Sequence, residues 1–368
     1  LVGKWGDADP LGVWLLGATY ADYDARKLDR MFQDSTGQTP VTASADKVGL
    51  WLDGSQFGTK TLAQVLAGQA ELVTNTAVDA GGWTHSGRTV IASGSAGSDS
   101  VSFTLAAPTA AGRRYLVSIP NNMPTSAFYA DFGSGTGSQV GSLQSNITQV
   151  ILTCTSPGTV IRIGRWSGSP TGTVGPISVK EIPGNHALQA TSQQRLNLLI
   201  SGSRYSLTAD ATDDNLLSTY LAGPSVNSIL IDIDVAASLA ATQVIAGMSG
   251  SATARLSIGI NTSGQLCAGV GSDANTTIVG TTDWRGTRLI AALSADGSTV
   301  KLLSATGEEY SAAQNGSPTT TIPARLAANN NNGTASSFFG GGIARAILAQ
   351  KALDLATFNA IRNQLLAS

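Results

Sequence analysis

The chain has 368 residues, a formal charge of −2, charged residues at 12% and glycine at 42 positions. That length accommodates two or three domains with separate cores. The near-neutral charge, without a basic run interleaved with aromatics, argues against nucleic acid as a partner, and no apolar run approaches the roughly 18 residues that would suggest membrane insertion.

Glycine together with abundant Ser, Thr, Ala and Asn is the composition of a turn-rich, all-β protein. Residues 1–62 carry Trp14 and Trp51 among short apolar words, "GVWLLG" and "KVGLWLDG", and read as short strands and turns. Between those words, "DSTGQTP" has the chemistry of a tight connection. The stretch Met31 to Asp53 reads as two short strands around that turn, with Leu50 and Leu52 on one face and Trp51 on the other. An isolated hairpin of this kind is marginal in water, so residues 1–62 are expected to act as a docking segment that packs on something else. A short helix is expected over Thr61–Leu72, capped by Thr61 and weakened by Gly68.

From about Leu72 the apolar period becomes two. "VSFTL", "RYLVSI", "QVILTCT", "TVIRIGRW" and "ISVKEI" alternate apolar with small or polar residues and are bounded by Gly, Ser, Pro or Asn. Short strands at this spacing predict an antiparallel β-sandwich over residues 63–184. Pro183-Gly184 and the amide-rich text after it predict a linker over 185–204. Residues 205–368 return to strands, with hairpin chemistry at "NTSG", "SADGS" and "SATGEE". "AANNNNGTASS" is a low-complexity interruption. Leu355, Phe358, Ile361, Leu365 and Leu366, preceded by Asp354 as a cap, predict a closing amphipathic helix. The expected fold class is therefore all-β: two antiparallel β-sandwich, or jelly-roll, domains in tandem after an N-terminal strand-and-turn segment, closed by a helix.

Catalytic groups are sparse. His85 and His186 stand apart and read as loop or packing residues, and the nearest approach to a nucleophile elbow is "GMSGS". Cys154 and Cys267 are remote in sequence and are expected to be buried thiols. No catalytic residue and no cofactor is assigned, and the chain is read as not an enzyme. Asp232 and Asp234 alternate with Ile229, Ile231 and Ile233, so they share the outward face of a strand. With Asp213 and Asp214 they are candidate ligands for Ca2+, a hard cation that wants clustered oxygens. They are also the carboxylates that a polysaccharide depolymerase would need. Sugar binding calls for an aromatic face with amides and acids alongside. Asn121, Asn122, Phe128, Tyr129 and Asp131 in "NNMPTSAFYADFGSG", with Trp83 and Trp166, supply those types, weighed against core packing.

Three passages carry a resemblance. "RKLDRMFQDSTGQTPVTASADKVGLWLDGS" resembles a segment recurrent in tailed-bacteriophage virion proteins, where an "LFQD-x-x-G-x-TPVT" phrase precedes "VGL-x-LD". "ISVKEIPGNHALQAT" resembles the end of the carbohydrate-binding-module-like sandwich that follows it there. "RYSLTADATDDNLLSTYLAG" and the text to Ser368 are similar to a laminin-G/concanavalin-like jelly roll. Asp213 and Asp214 match that family's acidic pair, while Ala211 stands where it has glycine. The resemblance implies a virion component built in the bacterial cytoplasm, of tail-fibre, head-fibre or capsid-decoration type. Its implied partners are other virion proteins, further copies of itself, trimers being favoured, and host-surface polysaccharide. The alternatives are a depolymerase acting through paired carboxylates and a bacterial surface glycan-binding module.

Overall fold

A computed structural model describes residues 9–57, 60–94, 99–123, 128–132, 140–143, 148–154, 157–165, 167–251, 254–271, 278–307, 309–314 and 316–367. As the sequence predicts, the chain is all-β, built from antiparallel sheets with a helix at its end. It divides into two compact units. One comprises 36–38 and 60–183, the other 1–35, 39–59 and 184–368.

In the 60–183 unit, Ser100–Leu105 lies between Val160–Arg165 and Val73–Ala80. Its alternation is as expected: Val101, Phe103 and Leu105 point inward. Arg114–Ser118 is flanked by Gln149–Thr153 and Ser178–Ile182 in a second sheet. Trp83, Phe128, Phe132, Ile161 and Ile163 fill the core between these strands. The expected helix is present but shorter, Leu62–Ala67, with a full capping box between Thr61 and Gln64 and an end at Gly68.

The larger unit packs two long sheets on each other. In the first, Val226–Val235 lies between Arg288–Asp296 and Gly341–Ala349. In the second, Gln243–Ser251, Ala254–Ile260, Gln265–Gly271 and Ile278–Asp283 run in order as a meander. Ile229, Ile231 and Ile233 face Met248, Leu256 and Ile258 in one continuous core. The outer face of the first sheet is covered too. Leu230, Ile290 and Ile347 there pack on Phe358, Ile361 and Leu365 of the closing helix Leu355–Ala367. Asp354 caps that helix by accepting from Thr357 N at 2.8 Å.

Three expectations change. Residues 10–35 and 39–57 are an integral part of this unit rather than a docking segment of their own, while 36–38 belong to the other unit. Tyr20–Asp24 pairs with Gly341–Ala349, Lys47–Val48 with Leu196–Ser201, and Leu50–Trp51 with both Met31–Phe32 and Ala187–Leu188. Leu50, Trp51 and Leu52 are all fully buried, and the Trp51 ring meets Tyr23 at 5.5 Å between centroids. The expected linker 185–204 likewise contributes strands, because Leu196 and Leu198 alternate inward while Arg195 donates to the carbonyls of Gln33, Gln189 and Ala190. "GVWLLG" lies in a helix, Pro10–Leu15, rather than a strand; Asp9 caps it and Pro10 starts it, a signature of helix entry.

Because Trp51 is fully enclosed, Trp51→Ala is expected to destabilise this unit by about 3–5 kcal/mol, measured as a fall in its denaturation midpoint.

Candidate functional site

The second sheet of the larger unit has two faces of opposite character. Along Ala254–Ile260, Leu256, Ile258 and Ile260 enter the core, which leaves Arg255, Ser257 and Gly259 on the other side. Cross-strand register extends that side into rows. Gly247, Ser257 and Gly269 are mutual partners in one row, Ser249, Arg255 and Gly271 in the next, and Gly259, Cys267 and Val279 in a third. A hairpin, Asn329–Asn331 with Thr334–Ser336, joins the same sheet alongside Gln243–Ser251 and places Asn329 next to Gly247 and Asn331 next to Ser249. Its turn residues, Asn332 and Gly333, both have positive φ (48° and 94°), the signature of a tight hairpin turn for which Asn-Gly is the favoured pair.

These rows enclose a groove of about 590 Å³. Glycine makes the space: a Cβ at Gly247 would come within 2.9 Å of Asn329 Oδ1, and one at Gly269 within 3.0 Å of Arg255 Cδ. Serine, threonine and asparagine supply most of the polar lining, beside Arg255 and the apolar Val244 and Val279. Asn329 Oδ1 is shielded from solvent and has no hydrogen-bond partner. Burial pushes the Cys267 thiol up to about 11, so it remains protonated at the groove floor. The described lining contains neither carboxylate nor imidazole.

The residues singled out by sequence lie elsewhere and do not converge. Phe128 is a fully buried core residue, as is Trp83, so neither offers a stacking face. Asp131 is buried and held by Arg162 at 2.6 Å, whose guanidinium lies 5.3 Å from the Tyr129 ring centroid. Asn122 instead accepts from Thr173 N at 2.6 Å, and Asn121 bridges to Val174. Trp166 lies outside the described residues. His85 pairs with Asp79 at 2.7 Å, and His186 is buried, accepting from Asp53 N at 3.0 Å. Both cysteines are free and buried, as expected.

Asp232 and Asp234 do share the outward face; Asp232 is buried there, whereas Asp234 stays partly exposed, and arginines hold both. Arg288 Nη2 reaches Asp232 at 2.7 Å, Arg204 bridges Asp232 and Asp234 at 3.0 and 2.9 Å, and Arg288 also donates to Leu365 O in the closing helix. Guanidinium groups already occupy the oxygens that a cation or a reacting sugar would need. Asp213 and Asp214 form a different cluster with Asp210, their carboxylate oxygens within 4.8 Å of one another. Burial first, and then the Asp210 charge, push Asp214 up to about 6 despite the bond from Asp210 N and the nearby Lys47. Ala211 in this loop has φ 64°, a left-handed conformation that suits the glycine the resemblance leads one to expect.

No family model matches the chain, and no curated protein matches it. Among solved structures it is similar to the CBM40 module of the Ruminococcus gnavus IT-sialidase bound to α2,6-sialyllactose (TM-score 0.33, 19% identity, 38% of this chain and 84% of that one). It is also similar to domain 4 of an extracellular arabinanase from Geobacillus stearothermophilus in complex with arabinotriose (0.34, 15%, 45% and 81%). A third is Trypanosoma rangeli sialidase in complex with the inhibitor DANA (0.35, 9%, 49% of this chain and 29% of that one). Each is a partial overlap.

Two predictions concern the acidic loop. A carboxyl whose folded pKa is raised contributes stability below its unfolded value, near 3.8, and loses it as pH rises through about 6. Asp214→Asn is therefore expected to leave the melting temperature unchanged near pH 4 and raise it progressively above the parent's toward pH 7. Ala211→Gly relieves left-handed strain and is expected to stabilise the unit by roughly 0.5–1 kcal/mol, the strain relief being partly offset by unfolded-state entropy, read by chemical denaturation.

Proposed function

We propose that the chain is a non-catalytic glycan-binding protein carried on the surface of a bacteriophage particle, and that the groove over Gly247, Ser257 and Gly269 is its binding surface. The observation that carries the binding reading is the groove itself. Its volume falls within the range of small-ligand sites, roughly 300–1,000 Å³, and hydroxyls and amides dominate its polar walls. Such a surface meets sugar hydroxyls by hydrogen bonding rather than by aromatic stacking.

Binding is favoured over hydrolysis because glycoside cleavage uses two carboxylates about 5–9.5 Å apart, and the described lining presents none. The carboxylates of the depolymerase reading are committed elsewhere: Asp232 and Asp234 to arginines, Asp213 and Asp214 to their own loop. The particle-surface reading is supported by the Met31 to Asp53 phrase, which belongs to the larger unit except at 36–38. In this reading the phrase helps build the glycan-binding unit, and other virion proteins and further copies of the chain are its neighbours.

Ser257→Trp fills the groove without entering the core. On an array of host-surface polysaccharides it is expected to abolish the binding seen with the parent chain while the melting temperature holds, whereas Tyr129→Ala leaves binding intact. Loss with Tyr129→Ala instead would move the site to the other unit. Antibodies raised against the chain are expected to label intact purified phage particles, and absence of label on particles whose other surface proteins are detected would contradict the particle assignment.

A further inference from the structure

We infer that the groove recognises an acidic saccharide, with Arg255 receiving the sugar carboxylate; the inference rests on the glycan-binding reading above and names its ligand class. Arg255 is the one charged residue in the described lining. Its Nε is shielded from solvent and has no acceptor. Among the described residues it is also the arginine whose side chain makes no hydrogen bond, ion pair or ring contact. On the first sheet of the same unit, by contrast, Arg204 and Arg288 are matched to Asp232 and Asp234, and Arg345 to Asp22. A donor on a cation that is cut off from water and left unpaired is costly. The Nη groups are not shielded in this way, and a ligand carboxylate pairing with them would supply the partner that the guanidinium lacks.

The local geometry prepares the guanidinium for such a role. Arg255 Cδ lies over Gly269, where a Cβ would approach to 3.0 Å, so the absence of a side chain lets the arginine stem lie along the sheet. Ser257 is two residues along the same strand and on the same face, roughly 7 Å away, about the span of one sugar ring. Gly247 and Asn329 continue the Ser257 row. A saccharide laid on this surface can place a carboxylate on the two Nη groups of Arg255, a planar pair that suits bidentate pairing, and its hydroxyls on Ser257 and on the Asn329 amide. One cation in an otherwise neutral lining suits a polymer with sparse charge, such as one uronate-type acid per repeat. A densely charged polyanion would require a basic patch, which a chain of net charge −2 with matched arginines does not present.

The test is an array of bacterial capsular and exopolysaccharides, each acidic member printed in native form and after chemical reduction of its carboxyl groups to neutral alcohols. The whole chain is applied as parent, Arg255→Gln, Arg255→Lys and Ser257→Trp. The parent is expected to bind at least one acidic polymer roughly tenfold or more tightly than its reduced form, as charge-assisted pairing implies. Arg255→Gln is expected to bind native and reduced forms alike, at the parent's level for the reduced one. Arg255→Lys, which keeps the charge and loses the fork, should fall between and covers the case in which the glutamine variant fails to fold. Equal binding of native and reduced polymers by parent and Arg255→Gln, abolished by Ser257→Trp, overturns the acidic assignment and leaves the glycan-binding reading standing. Arg255-dependent binding confined to sulphated or phosphorylated polymers, which reduction does not neutralise, overturns the carboxylate assignment in favour of an ester. Absence of binding to every polymer overturns both.

Discussion

The buried carboxylate of Asp53 holds together three stretches of chain that are distant in sequence, and the larger unit depends on that junction. It accepts from Asp22 N, Ser55 N, Ser55 Oγ and Asn185 N, all at 2.7–2.8 Å, while its own N–H donates to His186 Nδ1. Burial pushes this carboxyl up to about 6 even against those donors. Beside it, Asp22 pairs with Arg345 at 2.8 Å, both side chains nearly inaccessible. Removing either partner would leave a buried charge uncompensated. Together these bonds fix Tyr20–Asp24 against Gly341–Ala349, so the beginning of the chain closes a sheet built near its end. Without that strand, Gly341–Ala349 would present an open edge over half its length, a liability in any sheet.

Once the sandwich is closed, its two outer faces diverge. The first sheet is sealed by Pro10–Leu15, the closing helix, and an aspartate–arginine network in which the named charges are matched. The second sheet is left open where its outward residues shrink to glycine and serine, and there the hairpin around Asn332-Gly333 supplies asparagines. The same alternation that delivers Leu256 and Ile258 to the core delivers Arg255 and Ser257 to the groove. The groove is thus a by-product of register, and a one-residue slip would exchange core and groove.

Much of the fold was legible because it rests on local periodicity. The alternation in "VSFTL", the hairpin turns, the burial of Ile229, Ile231 and Ile233, and the Asp354-capped helix all follow from short-range pattern. What was not legible is long-range closure. "KVGLWLD" and "RLNLLIS" look like a docking segment and a linker because their partner strands lie far along the chain, and no local signal names those partners. The residues singled out for a candidate site do not converge, for a related reason. Tyr129, Asp131 and Asp232 have the residue types of a sugar site, yet arginines hold them in place, and pairing of that kind is invisible in sequence. The groove has one readable sign: Asn-Gly within "ANNNNGT" is a strong hairpin signal, although the run around it is low in complexity. Ala211 was visible as a departure from glycine, and its left-handed backbone supplies the physical meaning of that departure.

The most direct measurement is a structure of the whole chain bound to an acidic oligosaccharide. The ligand should lie across Ser257 and Gly269 with its carboxylate on Arg255 and hydroxyls on Ser257 and the Asn329 amide. A ligand seated instead on the Tyr129–Arg162 face of the other unit, with the groove holding water alone, would contradict the assignment.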